Sequence, residues 1–280
     1  MRLRIWGSRG SLASPGAGTK RYGGNTSCIE LRPSGGGVVI LDAGTGIREL
    51  GVRLVEEGVR KIHLLLTHLH VDHLEGLGTF APLYREGTEV HIWGPASPVA
   101  SLEERVATYF SPPLFPVTLA EVPGRVQFHN ASENEWLIDG TRFVSHAIVH
   151  PGPTVGYRIE EDGVVLAYLT DHEPALGADL AVDAAEWISG FAIAHRASLL
   201  IHDCQYTPGE YAGRVGWGHS STEHVAILAA RAEIERLLLF HHDPMHTDVQ
   251  LESMLEDVRV RWGVEPDRSA LAAEGMELEV

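Results

Sequence analysis

Residues 67–73 read Thr-His-Leu-His-Val-Asp-His, and this short stretch constrains the chain more than any other. Three imidazoles and one carboxylate fall within six residues, directly after the apolar run 64–66. Neutral imidazoles offer nitrogen lone pairs and carboxylates offer oxygens, so these side chains together can hold divalent metal ions. Because the chain contains 16 histidines, some clustering is expected by chance, and a metal site requires further ligands elsewhere.

Other histidines and aspartates follow apolar runs along the chain in the same way. Each run predicts a buried strand, and loops at strand ends are where rigid frameworks place reactive side chains. A single such residue would be interpreted as a helix cap or a hydrogen-bonding partner. The recurrence at six strand ends instead predicts one shared site. The residues concerned are Asp42, His68, His150, Asp171, His202, Asp203, His241 and His242.

Hydrophobic periodicity predicts early antiparallel strands, then alternating strands and helices, then more strands followed by βα units. Predicted helices cover residues 47–57, 74–84, 98–110, 184–195, 221–235 and 248–262. A hairpin is predicted in residues 136–150, with its turn at Asp139-Gly140. No linker or internal repeat interrupts the pattern. We therefore predict a single domain over residues 1–280, of α/β (α+β) class, with two packed sheets between helices in αββα layers.

The formal net charge of −16 argues against a protein that gains its affinity by neutralising a long polyanion. A cluster of metal ions can still create a local positive site for a small phosphate ester. No apolar run is long enough for a membrane span, and the chain turns polar and Gly-rich after Trp6. We predict a cytoplasmic protein without membrane contact and with unpaired, buried Cys28 and Cys204. The sequence leaves open whether the protein forms a homodimer.

These motifs resemble those of the metallo-β-lactamase-fold hydrolases, and within them the branch of ribonuclease Z and related phosphodiesterases. Residues 68–73 match the family's His-x-His-x-Asp-His signature. The opening Gly-Ser-Arg-Gly-Ser of residues 7–11 and the Gly-His-Ser-Ser of residues 218–221 also correspond, so the resemblance extends along nearly the whole chain. It implies a four-layer αββα sandwich of the metallo-β-lactamase type.

The same resemblance implies two metal ions that share one carboxylate. The implied ligands are His68, His70 and His150 for one ion, Asp72, His73 and His241 for the other, and Asp171 as the bridge. Asp42 is then expected to orient a ligand histidine through its ring N–H. His242 is expected either to support the ligands from behind or to have a structural role. Each ion keeps a position for water, as catalytic sites require. Nitrogen and oxygen ligands favour Zn²⁺, although Mn²⁺ or Fe²⁺ would also fit.

The predicted reaction type depends on two residues, Asp171 and His219. Members of the family that hydrolyse β-lactams usually have Cys at the position of Asp171, so penicillin hydrolysis is disfavoured. His219 lies in a loop that ribonuclease Z-like phosphodiesterases place beside their metals, where a histidine that is not a ligand can protonate a leaving alkoxide. We predict a binuclear metal-dependent phosphodiesterase in which a hydroxide bridging the ions attacks phosphorus, with Asp72 and His219 as catalytic residues.

Several substrates are compatible with these motifs. Ribonuclease Z enzymes usually project a basic arm for tRNA, whereas residues 173–196 predict an acidic, helical connection. Together with the net charge, this difference favours a small nucleotide or another small phosphodiester over long nucleic acid. The alternatives are a tRNA 3′-end endoribonuclease, a thioesterase or lactonase, and a non-catalytic metal-binding regulator of the same fold.

Overall fold

The computed structural model describes residues 1–280, which form fourteen strands and six α-helices. The strands are β1 (Arg2–Gly7), β2 (Cys28–Arg32), β3 (Val39–Leu41), β4 (Lys61–Leu65), β5 (Glu89–Gly94), β6 (Arg125–Asn130), β7 (Asn134–Ile138), β8 (Thr141–Ala147), β9 (Val155–Glu161), β10 (Val164–Leu169), β11 (Leu199–Asp203), β12 (Leu237–Phe240), β13 (Ser269–Leu271) and β14 (Glu277–Glu279). The helices are α1 (Ile47–Glu56), α2 (Leu102–Tyr109), α3 (Phe191–Ala194), α4 (Pro208–Tyr211), α5 (Thr222–Arg231) and α6 (Asp248–Trp262). None of the helices is both long and apolar enough to cross a bilayer.

The strands form two seven-stranded sheets of mixed direction. One sheet has the order β14-β1-β2-β3-β4-β5-β6, and the other has the order β13-β12-β11-β10-β9-β8-β7. Strands β3 to β6 are parallel to one another, and so are β10 to β13. Because the carboxyl ends of parallel strands meet at one sheet edge, this topology brings distant strand-end residues together.

Three apolar clusters define the layers. The inner cluster, which includes Ile5, Tyr157 and Phe240, joins the facing sides of both sheets. A second cluster packs α1 and α2 on the outside of the first sheet, and a third packs α3, α5 and α6 on the second sheet. This arrangement is the predicted αββα sandwich. Since both sheets share the inner cluster, we retain the prediction of one domain over residues 1–280.

Two predicted helices are wrong. Residues 74–84 form two short 3₁₀ turns, Leu77–Thr79 and Ala81–Tyr84, instead of an α-helix. The backbone at Gly76 packs so closely on Gly44 that a Cβ at position 76 would lie 2.0 Å from Gly44 O, and this packing overrides the helical pattern. Residues 184–195 contain only one 3₁₀ turn and the short α3, separated at Gly190, whose φ is +72°. The connection 173–196 is therefore acidic but mostly irregular rather than helical.

The predicted hairpin turn at Asp139-Gly140 and the predicted state of the two cysteines are confirmed. Strands β7 and β8 pair antiparallel across Asp139-Gly140, where both residues have positive φ. Strands β9 and β10 pair across Asp162-Gly163 in the same way. Cys28 and Cys204 are buried and unpaired.

Candidate metal centre

Three strand-end residues turn the chain with left-handed backbone geometry. Asp42, Asp171 and His241 have φ values of 60°, 52° and 56°. Asp and His tolerate this region better than most residues, but each instance still costs about 1–3 kcal/mol and persists only where the surroundings enforce it. The parallel strands thus end in strained turns at the sheet edge where the histidines gather.

The first ligand group consists of three histidine nitrogens. His150 Nε2 lies 3.1 Å from His70 Nδ1, and one ring nitrogen from each of His68, His70 and His150 lies within 4.8 Å of the other two. His68 is buried, whereas His70 is exposed. These are the three residues that the resemblance assigns to one ion.

The second group consists of Asp72, His73, Asp171 and His241. His73 Nε2 lies 3.0 Å from Asp171 Oδ2, 3.3 Å from Asp72 Oδ2 and 3.2 Å from His241 Nε2. His241 Nε2 lies 3.2 Å from each of these carboxylate oxygens. Four tetrahedral ligands at the usual zinc distances are separated by about 3.3 Å. The four atoms therefore have the mutual spacing of one metal's ligands.

Asp171 directs one oxygen to each group. Its Oδ1 lies 3.7 Å from His68 Nε2 and 3.9 Å from His150 Nε2, whereas Oδ2 contacts His73 and His241. Burial by itself raises the pKa of Asp171, but the adjacent His241, His73 and His68 outweigh burial and lower that pKa well below its usual value. The carboxylate is thus ionised and positioned to be shared.

Asp42 holds two ligand histidines from behind. The Thr67 hydroxyl lies 3.0 Å from Asp42 Oδ2 and 3.1 Å from His68 Nδ1, so it can donate to the carboxylate and accept from the ring N–H. His73 Nδ1 lies 2.9 Å from Asp42 Oδ2, and the Tyr168 hydroxyl donates to the same oxygen at 2.8 Å. Both contacts leave the Nε2 lone pairs of His68 and His73 facing the ligand groups, as metal binding requires.

Two further contacts set the tautomers of His150 and His241. His150 Nδ1 donates to Gly218 O at 2.9 Å, and His241 Nδ1 lies 3.2 Å from Gln205 Oε1. In each ring the other nitrogen, Nε2, is then the one with a free lone pair. Gly218 has a φ of +88°, and a Cβ there would lie 2.1 Å from His150 Nδ1. Only glycine fits against this ligand.

The buried nitrogen of His68 tests whether these residues fit a metal ion. His68 Nε2 is buried and has no hydrogen-bond partner, although buried polar atoms in folded proteins nearly always have one. Burial lowers the pKa of His68 well below its usual value, so the ring is neutral and its lone pair is available. An orphaned lone pair facing two other imidazole nitrogens and a carboxylate oxygen fits a divalent cation and no group in the chain.

His219 lies beside both ligand groups but is held by a different residue. Its Nδ1 lies 2.5 Å from Asp203 Oδ2, and its ring stacks on His241 with centroids 5.1 Å apart. Ring atoms of His219 also lie within 4.8 Å of ligand atoms of His150 and Asp171. Burial alone lowers the pKa of His219, but Asp203, Asp171 and Asp72 outweigh burial and raise it to about 9. The tertiary structure thus brings His219 to the cluster 146 positions beyond His73 in the chain.

The sequence patterns missed Glu173, which organises the loop before His219. Glu173 is fully buried and accepts the backbone N–H groups of Gly216 and Gly218 and the Tyr211 hydroxyl, at 2.7–2.8 Å. The available signal was its place two residues after Asp171 at the end of β10. Gln205, two residues after Asp203, was missed in the same way.

His242 does not contact the ligands. Its Nε2 bonds to Ala272 O at 3.0 Å, and its backbone N–H and C=O bond to Ser8 and Gly10. The side chain turns away because successive residues at a strand end point to opposite sides. Of the two roles expected for His242, these contacts therefore favour the structural one. His242 ties the opening loop to the second sheet.

Comparison with known proteins agrees with this description. Residues 38–242 match the family described as the beta-lactamase superfamily domain. A ribonuclease Z of Pyrococcus abyssi is 23% identical in an alignment 262 positions long, which covers 76% of this chain and 79% of that protein. Among solved structures, the metallo-beta-lactamase fold protein YhfI from Bacillus subtilis aligns with a TM-score of 0.70 at 15% identity, covering 99% of both chains. A diphosphatase from the PhnP family aligns with a TM-score of 0.69 at 19% identity, covering 100% of this chain and 97% of that one.

The matched segment begins at β3 and ends at His242, so it contains all seven residues of the two ligand groups. The comparisons confirm the predicted fold and the predicted class of metal-dependent hydrolase. The family binds divalent metal ions, often two, which agrees with the two groups of ligand atoms. The chain is therefore a member of the beta-lactamase superfamily.

Proposed function

We propose that the protein is a binuclear metal-dependent phosphodiesterase that acts on a small nucleotide or another small phosphodiester. Its metal ligands would be His68, His70 and His150 on one side and Asp72, His73 and His241 on the other, with Asp171 between them. Zn²⁺ suits this nitrogen and oxygen set, and Mn²⁺ or Fe²⁺ are the alternatives.

The observation that carries the proposal is the position of His219. A hydrolase that only activates water needs no further imidazole beside its ligands, whereas cleavage of a phosphodiester must also protonate a poor leaving group. His219 Nδ1 is engaged by Asp203, and this contact fixes the ring and leaves Nε2 free to contact a substrate. A residue held in this way is suited to deliver a proton to the leaving oxygen.

The chain's own residues have distinct parts in the proposed reaction. When bound, a pair of divalent ions lowers the pKa of water and offsets negative charge on phosphoryl oxygens. Asp72 Oδ2 accepts the Ser11 N–H at 2.7 Å, and the Asp72 carboxylate is placed to accept a proton from the nucleophile. His219 Nε2 supplies the proton to the leaving oxygen. Asp203 keeps the His219 ring oriented through the reaction.

The charge distribution favours a small substrate. The chain has a net charge of −16, so long-range attraction to a polynucleotide is weak. Residues 173–196, where an arm for tRNA would be expected, carry acidic residues and pack mostly as short turns. A small phosphodiester requires only the local positive field of the bound ions.

A tRNA 3′-end endoribonuclease is the second candidate, because relatives with the name ribonuclease Z match along most of the chain. Thioester or lactone hydrolysis and a non-catalytic metal-binding role are further alternatives. A thioester places less demand on His219, since a thiolate leaves more readily than an alkoxide.

The deciding experiment incubates metal-loaded protein with bis(p-nitrophenyl) phosphate, cyclic nucleotides, a precursor tRNA and an acyl thioester. We expect hydrolysis of the phosphodiesters and of at least one cyclic nucleotide. Hydrolysis of the thioester alone would rule out the phosphodiesterase. Efficient, site-specific cleavage of the precursor tRNA without turnover of small diesters would favour the endoribonuclease.

A further inference from the structure

A cleft of 340 Å³ lies directly beside the first ligand group. It is lined by His68 and His70, by Arg105 and Thr108 from α2, and by the turn Pro151–Pro153 that follows His150. No aspartate or glutamate lines it, although the chain carries 38 acidic residues. Its one permanent cation is Arg105. In an acidic protein, a cleft with this lining is suited to an anion.

Arg105 is held in place by backbone carbonyl groups rather than by a carboxylate. Its Nη2 donates to Pro95 O and its Nε to Ser101 O at 3.4 Å. Burial lowers the pKa of Arg105, and no acidic neighbour acts on it. By contrast, Arg32 and Arg142 each bind two glutamates. The charge of Arg105 is thus not neutralised within the chain.

The two carbonyl contacts restrain the guanidinium and leave Nη1 without a partner in the chain. A planar, restrained fork with free N–H groups is the usual protein contact for phosphate oxygens. Restraint before binding also reduces the entropy lost when a ligand is bound. The proposed function places the scissile phosphodiester beside both ligand groups, next to Asp72 and His219, neither of which lines the cleft. Arg105 would therefore contact a different part of the substrate.

We propose that Arg105 binds a second phosphate of the substrate, and that the substrates are phosphodiesters with a further phosphate group away from the scissile bond. This inference rests on the proposed phosphodiesterase function. The second phosphate is the feature that would separate preferred from poor substrates. Thr108, which also lines the cleft, donates its hydroxyl to Glu104 O at 3.1 Å, so Arg105 supplies the N–H donors for the anion.

The test compares two substrates that differ by one phosphate. Thymidine 5′-(p-nitrophenyl phosphate) carries only the scissile diester, and its 3′-phosphorylated form carries an additional phosphate. We expect the wild-type protein to prefer the 3′-phosphorylated form. The variant Arg105→Gln should lower kcat/KM for that form by about tenfold or more, through KM, because a charge-assisted contact is lost. The value for the unphosphorylated form should stay within about twofold.

Arg85→Gln is the matched control. Arg85 is also half-buried, has no carboxylate partner and donates to a backbone carbonyl, Val55 O, but it lies outside the cleft. It should leave both rates unchanged. The inference is overturned if Arg105→Gln lowers kcat/KM equally for both substrates. It is also overturned if Arg85→Gln has the same effect as Arg105→Gln. A wild-type protein without preference overturns it as well, whether or not the variant folds.

A binding measurement separates this inference from the proposed function. Calorimetry with thymidine 3′,5′-bisphosphate and thymidine 5′-monophosphate requires no turnover. If neither p-nitrophenyl ester is hydrolysed, the phosphodiesterase proposal fails. The anion site is then supported only if the bisphosphate binds more tightly and Arg105→Gln removes the difference. Equal affinities in the wild-type protein would overturn it.

Discussion

His219 Nδ1 lies 2.5 Å from Asp203 Oδ2, and this contact joins a loop residue before α5 to the last residue of β11. Asp203 also accepts the backbone N–H groups of Gln205 and Ser220 through Oδ1. One buried carboxylate therefore fixes the ring of His219, the backbone directly after it at Ser220, and the backbone after β11 at Gln205.

Substitution of His219 should impair chemistry without removing metal. We expect His219→Ala to lower kcat for a substrate with an alkoxide leaving group by about 10²–10⁴-fold, the usual contribution of a general acid. The loss on a p-nitrophenyl ester should be much smaller, since p-nitrophenolate leaves without a proton. Steady-state rates and metal analysis by mass spectrometry test this. Equal losses on both substrates would contradict the role as a proton donor.

Substitution of Asp171 should reduce the number of bound ions. Its two oxygens face different ligand groups, so Asp171→Asn removes the charge that both proposed ions would share. Asn tolerates the left-handed backbone at this position, so the fold should persist. We expect metal content to fall from two ions per chain to one or fewer, and phosphodiesterase activity to fall at least a hundredfold. A content of one ion per chain in both proteins would refute the bridged pair.

Gly218 and Gly216 form a matched pair for testing the support of His150. Both have positive φ, +88° and +85°, but a Cβ would meet the His150 ring only at position 218. Gly218→Ala should lower metal affinity by about 10- to 100-fold, as loss of ligand support does. Gly216→Ala should cost stability, about 1–3 kcal/mol, without this loss. Metal titrations of both variants provide the comparison, and equal affinities would contradict the role of Gly218.

Removal of metal should lower the melting temperature. The ligand residues lie in the connections that follow β4, β8, β10 and β12. An ion that binds them only in the folded chain stabilises that chain by mass action. At a free metal concentration a hundred times the dissociation constant, the gain is about 2.7 kcal/mol. Differential scanning calorimetry with a chelator, then with added Zn²⁺, should show a reversible shift. An unchanged melting temperature would argue against high-affinity binding.

His63 should make the fold sensitive to acid. It is buried and stacks on His91, and burial, with His91 and Lys61, lowers the pKa of His63 to about 4, despite the opposing effect of Asp139. Between pH 6.5 and 4 the unfolded chain binds a proton at this residue and the folded chain does not. The free energy of unfolding should therefore decrease as the pH is lowered from 6.5 to 4. His63 alone contributes up to about 1.4 kcal/mol per pH unit to this decrease.

Urea unfolding from pH 7 to pH 4 tests this prediction. His63→Gln should flatten the dependence, while the neighbouring His91 and His129, whose pKa values burial also lowers, should keep a residual slope. The Gln side chain can still accept the Trp93 Nε1–H, which lies 3.3 Å from His63 Nδ1. Identical slopes for the two proteins would show that His63 contributes nothing.

The sequence by itself determined the layer architecture and the residue types of the metal centre. Apolar runs with period two and period 3.6 are local properties, so the positions of most strands and of α1, α5 and α6 follow from them. The gathering of the reactive residues that come directly after those runs could also be predicted, because parallel strands end at a common edge of the sheet. Local patterns failed where packing overrides propensity, as at Gly76 and Gly190.

Only the tertiary structure decided how these residues cooperate. Side-chain directions across distant strands decide three features of the site. The two oxygens of Asp171 face different ligand groups, Glu173 accepts hydrogen bonds from the loop before His219, and the His242 ring points away from the ligands. Arg105 likewise reaches the cleft through the packing of α2 and has no motif around it. Contacts between residues far apart in the chain are set by register and rotamers, which no local pattern encodes.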